Sequence, residues 1–157
     1  MSERDPFEGK AAPAFSVPDQ DGKAVTLKEF KGRPVVLYFY PKDFTSGCTQ
    51  EACDFRDSWK RVAATGAVLL GVSRDKPELH KKFVAEYKLP YRLLADTDEK
   101  LCKKYDVMRQ KSLYGRKYIG VDRSTFIIDT TGKVRKVFRK VKVAGHVDEV
   151  LAAVKAL

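Results

Sequence analysis

Residues 35–57, VVLYFYPKDFTSGCTQEACDFRD, decide how this chain is read. The stretch opens with an unbroken apolar and aromatic run, Val35 to Tyr40. β-Branched and aromatic side chains without polar alternation predict a strand buried on both faces, as at the centre of a parallel sheet. Pro41 stops the run and Ser46-Gly47 turns it. From Gly47 to Thr65 the period changes. Ala52, Phe55, Trp59, Val62 and Ala63 recur at spacings of three and four, which predicts one helix with one apolar face, ended by Gly66. Glu51, Asp54 and Asp57 precede Lys60 and Arg61 along it, the order that complements the helix dipole.

Working outward, Ala67–Val72 predicts a second buried strand, so the two strands and their helix form a right-handed βαβ unit. Asp75 and Glu78 read as a capping box with Pro77 in the first turn of a helix whose buried face carries Leu79, Phe83 and Tyr87. Tyr91–Ala95 is a short strand. Asp96 and Glu99 cap a short helix carrying Leu101, Cys102 and Tyr105. Val107–Val121 has no steady period and reads as a long surface loop. Ser124–Asp129 and Val134–Arg139 are strands paired across the turn Thr130–Lys133, and a last helix begins near His146. On the other side, residues 1–13 read as a loosely ordered lead-in. Ala14–Val17 and Lys23–Thr26 form a hairpin, and Thr26 caps one helical turn through Phe30. This order predicts an α/β three-layer sandwich with a mixed central sheet and an N-terminal β-hairpin, residues 1–157 forming a single domain. Its site is expected at the carboxyl end of the central strand.

Composition narrows the function classes. The chain has 157 residues, 31 basic and 21 acidic, for a net charge of +10. The basic residues are spread along the chain and lack aromatic interleaving, so no specific nucleic-acid binding is expected. No apolar run reaches the roughly 20 residues of a membrane span, and the N-terminal residues lack a signal-peptide core. A cytoplasmic protein without a membrane partner is expected. There, its three cysteines are expected to be catalytic or buried rather than a disulfide framework. Neither the cysteines nor His80 and His146 have zinc-site spacing, so no metal and no cofactor is expected.

Cys48 is the chemical centre of this reading. In the first turn of a helix it is surrounded by backbone N–H groups without intrahelical partners and by the positive end of the dipole, both of which favour an anion. Thr45 and Ser46 can cap that helix, the Thr45 hydroxyl can reach a polar atom near the sulfur, and Pro41 stiffens the entry. Cys53 is five residues on. Along a helix that is a rise of about 7.5 Å with the side chains about 140° apart, too far for a disulfide. Either the two never pair, or the first helical turns unwind. Cys102, in an apolar pattern, reads as a packed core thiol.

These residues resemble the peroxiredoxins. Tyr40-Pro41, Thr45 and Cys48 match the family's P-x-x-x-T-x-x-C signature, and GCTQEACDFRD is similar to the bacterioferritin comigratory protein, or peroxiredoxin Q, subfamily. The likeness continues through APAFSVPDQDG, GVSRDKPELHKKF, YRLLADTDEKLCKKYDV and RSTFIIDTTGKV. It implies a thioredoxin-like fold. It also implies that Cys48 is the peroxidatic cysteine, oxidised to a sulfenic acid by hydrogen peroxide or an organic hydroperoxide. Tyr40, Thr45, Gly47, the Cys48 N–H and Arg123 would bind the peroxide, with Pro41, Thr45 and Arg123 in the catalytic set. Cys53 would resolve the sulfenic acid as an intramolecular disulfide, which thioredoxin or a similar dithiol would reduce. Ser46 departs from the proline common in the subfamily. No cysteine follows residue 102, so a monomer is expected. Two other readings are a thioredoxin-type disulfide reductase, which usually carries two cysteines separated by two residues, and a basic binding module with incidental cysteines. No cysteine pair here has that reductase spacing.

Overall fold

The computed structural model describes residues 4–157. The chain runs β1 (Ser16–Pro18), β2 (Ala24–Thr26), a 3-10 turn (Leu27–Phe30), β3 (Val35–Phe39), α1 (Ser46–Asp57), α2 (Trp59–Ala64), β4 (Val68–Ser73) and α3 (Pro77–Tyr87). It continues through β5 (Arg92–Ala95), α4 (Lys100–Lys104), β6 (Met108–Leu113), β7 (Arg116–Val121), β8 (Ser124–Ile128), β9 (Val134–Phe138) and α5 (His146–Lys155). The central sheet has the order β5-β4-β3-β8-β9. β3 pairs parallel with β4 and antiparallel with β8, and every residue of β3 is buried. An unbroken apolar run therefore means what the sequence suggests, a strand covered on both faces.

Alternation along β3 divides the core. Val35, Leu37 and Phe39 pack with Val17, Val25, Leu101, Tyr105 and Phe126. Val36, Tyr38 and Tyr40 pack with Ala52, Phe55, Val62, Phe83, Val150 and Leu151. The first set covers one face with the N-terminal hairpin and α4; the second covers the other with α1, α2, α3 and α5. This is the thioredoxin-like three-layer sandwich with a mixed sheet. Gly71 lets the second layer close: a Cβ there would stand 2.8 Å from Leu93 Cδ2 and 2.9 Å from the Tyr38 ring. Tyr38 in turn shares a 2.8 Å hydroxyl–hydroxyl bond with Tyr91, whose hydroxyl donates to the Ala52 carbonyl of α1.

The structure corrects four local expectations. The helix expected over 47–65 breaks at Ser58, which leaves helical geometry (φ −99°, ψ 12°) and separates α1 from α2. Asp57-Ser58 is a pair whose short polar side chains favour helix ends. Residues 108–121 are not a loop. β6 and β7 pair antiparallel around Tyr114-Gly115, both left-handed (φ 51° and 78°), the requirement of a two-residue primed turn. Leu113, Tyr114, Tyr118 and Ile119 are exposed, so the outer half of the hairpin has no buried face to impose a readable period. The lead-in is not loose where it is described. Gly9 N–H donates to Val134 O at 2.7 Å, Val134 N–H to Lys10 O at 2.9 Å, and Phe7 packs edge-on against Phe126. It lies along β9, as a segment covering a sheet edge does; residues 1–3 of the expected lead-in lie outside the described residues. Finally, Asp75 and Glu78 make no capping box. Lys76 is the N-cap of α3, with Pro77 following as expected, and the Asp75 carboxylate accepts bonds from Ser73 and from the Asp43 N–H.

Candidate active site

β3 delivers the chain to Tyr40, the loop Pro41–Thr45, and α1. Thr45 is the N-cap in extended geometry, and the first internal bond of the helix runs from Thr49 N–H to Thr45 O at 2.9 Å. The N–H groups of Ser46, Gly47 and Cys48 precede that bond, as at any helix start. The Thr45 hydroxyl does not cap them; it donates to the Lys42 carbonyl at 2.8 Å, which leaves its oxygen lone pairs free to accept. Cys48 is the third helical residue, only 2% exposed, with its sulfur at this end of the helix.

Arg123 supplies the tertiary charge. The register of β3 against β8 pairs Phe39 with Ser124, which brings the residue before β8 level with the end of β3. Its Nη2 donates to Cys48 Sγ at 3.4 Å and its Nη1 to Glu51 Oε1 at 2.7 Å. Gly47 makes room for this approach, since a Cβ there would meet Arg123 Nη2 at 3.2 Å. Glu51 is almost fully buried. Burial pushes its carboxyl up to about 7, against the pull of the Arg123 guanidinium. Its Oε2 has no hydrogen-bond partner among the described residues. Lys111 of β6 also belongs to the local field. Burial lowers its ammonium, Asp122 and Cys48 oppose that, and Nζ donates to the Val121 carbonyl.

Cys53 lies farther along α1 and is half-buried. Burial pushes its thiol up; Arg56 opposes this and Asp57 and Asp54 add to it. Cys48, Cys53 and Cys102 are all free thiols. Cys102 is fully buried, and burial followed by the Asp96 carboxylate drives its thiol far above the ordinary range. That agrees with a packed core cysteine.

The structure thus brings Gly47, Arg123 and the start of α1 to the Cys48 sulfur. Tyr40 is buried, and its hydroxyl donates to Asp43 Oδ1 in the loop that follows. Pro41 follows at the exit of β3 and is half-buried. Sequence reasoning missed Glu51, reading it only as helix charge, although its i+3 spacing from Cys48 puts both on one face. It also missed Asp43 and His80, which are 37 residues apart and have no local signal. Asp43, Asp75 and His80 bring ligand-type atoms within 4.8 Å of one another. Both oxygens of Asp43, both ring nitrogens of His80 and Asp75 Oδ2 are already engaged in hydrogen bonds, so the group is built as a network rather than a metal cage. Among the described residues no helix is long and apolar enough to cross a membrane.

A thiol held at a helix start against an arginine, on a thioredoxin-like sheet, defines a redox thiol protein. The AhpC/TSA family model matches residues 9–137. A putative peroxiredoxin bcp of Coxiella burnetii is 48% identical over 143 residues, covering 91% of this chain and 95% of its own length. Peroxiredoxin Bcp of Bacillus subtilis is 48% identical over 147 residues, 94% of each chain. The Xanthomonas campestris bacterioferritin comigratory protein, solved in a study of alkyl peroxide reduction, superposes with a TM-score of 0.86 at 43% identity, over 90% of each chain. The chain belongs to the AhpC/TSA family and, within it, to the peroxiredoxins of the Bcp, or peroxiredoxin Q, type.

Proposed function

We propose that this peroxiredoxin reduces hydrogen peroxide and organic hydroperoxides through Cys48, with Cys53 as the resolving thiol. The observation that carries the reading is the Arg123 guanidinium, 3.4 Å from the Cys48 sulfur at the start of α1. The Cys48 thiolate attacks the terminal peroxide oxygen. The O–O bond breaks, the leaving alkoxide or hydroxide takes a proton, and the sulfur becomes a sulfenic acid. Arg123 and the N–H groups of Gly47 and Cys48 face the charge that develops as that bond breaks, where fixed donors act most strongly. Thr45, tied through its own proton to Lys42, has lone pairs with which to accept from the peroxide O–H. Pro41 stiffens the loop, and Tyr40 acts through Asp43.

Cys53 then condenses with the sulfenic acid, forming the S–S bond and releasing water. Helical spacing keeps the two sulfurs apart, so α1 must unwind between residues 46 and 54. Thioredoxin or a similar dithiol reduces the disulfide by thiol–disulfide exchange. The cycle needs one chain only, consistent with a cytoplasmic monomer of one domain. The test is mass spectrometry after one equivalent of peroxide. Loss of two hydrogens, mapped to a Cys48–Cys53 peptide pair, is the expected result. A stable Cys48 sulfenic or sulfinic acid with Cys53 still free would refute the resolving role.

A further inference from the structure

Behind the thiol lies a buried polar network that the peroxide chemistry does not consume. Asp43, in the middle of the loop between β3 and α1, meets Nδ1 of His80 on α3, and both side chains are fully buried. Nε2 of His80 donates to the Leu94 carbonyl of β5 at 2.9 Å. The Asp43 N–H donates to Asp75 at 2.8 Å, and Asp75 accepts from Ser73 Oγ at 2.7 Å. Tyr40 closes the network on the other Asp43 oxygen. The next residue, Phe44, is left-handed at φ 65°, disfavoured for any side chain, and its ring rests edge-on against Phe83 of α3 at 5.0 Å. The loop that supplies the N-cap of α1 is therefore held at Asp43 by His80 of α3 and by Asp75, which lies between β4 and α3.

We infer that the Asp43–His80 pair is a latch that holds loop 41–45, and with it the first turn of α1, in the arrangement that presents Cys48 to peroxide, and so sets how often that turn opens toward Cys53. The inference rests on the Cys48–Cys53 cycle proposed above. A buried pair of this kind is either made or broken, because a half-made one strands a polar group in a low-dielectric interior. The Cys48 sulfenic acid has two fates. A second hydroperoxide adds an oxygen, giving a sulfinic acid and an alcohol or water; the Cys53 thiol gives a disulfide and water. The first fate needs the closed turn and the second needs it open, so the latch divides them. Asp43 and His80 are positioning residues here, since neither touches the sulfur.

The test replaces His80 by Leu, which removes both polar contacts, and by Gln, which keeps a donor. The Asp43→Leu variant removes the same contact from the loop side, and substitutes, with the same changes expected, if His80→Leu does not fold. Sulfenic acid formation is followed by fluorescence of Trp59, which stacks on Tyr91. The sulfinic-to-disulfide ratio is read by mass spectrometry over a peroxide series, well below the melting temperature. His80→Leu should slow sulfenic acid formation about tenfold and raise the peroxide dose for half-sulfinic conversion about tenfold, with His80→Gln restoring most of both. A lower melting temperature with an unchanged rate and ratio would reduce the pair to a structural contact and overturn the latch. More sulfinic acid at a given dose would overturn it as well. If the wild type forms no Cys48–Cys53 disulfide, the resolving assignment falls instead. The latch is then judged in a Cys53→Ser background, where tenfold slowing by His80→Leu supports it and none overturns it.

Discussion

Cys48 and Cys102 are each the third residue of a helix, with Thr45 and Glu99 as the respective N-caps. Both are buried. Their surroundings are opposite. Cys48 faces the Arg123 guanidinium, which arrives from the residue just before β8. Cys102 faces Asp96, whose carboxylate accepts the Leu101 and Cys102 N–H groups at 3.0 and 2.7 Å. In α4 the first-turn donors are spent on a carboxylate that also repels a thiolate. In α1 the first internal bond leaves them toward the site, and a cation stands opposite. A helix start is thus a permissive feature, and the charge brought to it from elsewhere decides whether the thiol there can serve as a nucleophile.

The sharpest way to break the comparison is to exchange the two sulfurs for oxygens. Cys48→Ser should reduce peroxide consumption, with dithiothreitol as donor, to the rate of buffer alone. Retained turnover would transfer the chemistry to another thiol. Arg123→Ala comes next. Removing one preorganised donor from a developing oxyanion typically costs about 10²–10³-fold in rate, and stopped-flow peroxide kinetics should show a loss in that range. A loss under threefold would mean that the helix start suffices.

The Glu51 partner gives a pH test. Its folded-state value, about 7, is raised above its ordinary 4.5. The folded protein therefore holds this proton more tightly than the unfolded chain. The contribution is fully present below pH 4.5 and is lost as pH rises through 7, by about 3 kcal/mol at 1.36 kcal/mol per unit. Urea unfolding at pH 5 and pH 8 should show this loss in the wild type and little of it in Glu51→Gln. Equal slopes in the two proteins would remove Glu51 from the account. The smallest effect is expected at the other thiol. Cys102→Ser should keep peroxide turnover within about twofold while lowering stability by roughly 1–3 kcal/mol, the cost of moving a hydroxyl rather than a thiol from water into the core. Native Cys102 should resist iodoacetamide until the protein unfolds.

Much of this site was legible because its decisive signals are local. The run Val35–Tyr40 announces a central strand, the change of period after Pro41 announces a helix, and Cys48 is placed at its start by sequence spacing alone. The β6–β7 hairpin was not legible, since both faces of its outer half are exposed and nothing selects for alternation. Nor was the grip on loop 41–45. Asp75 has the spacing of a helix cap but turns toward Ser73 and Asp43, because the buried Asp43 N–H needs an acceptor there.

By itself the sequence determined the strand, the helix start with its orphan donors, and the helical offset that keeps Cys53 away from Cys48. Each follows from backbone geometry over a few residues. Tertiary structure alone decided which of 31 basic residues meets the sulfur. The antiparallel register that pairs Phe39 with Ser124 carries Arg123 across 75 residues to Cys48. The fold likewise places Asp96 at Cys102 and His80 against Asp43. Electrostatic interactions depend on distance through space, and between residues this far apart in sequence only strand pairing and packing set that distance.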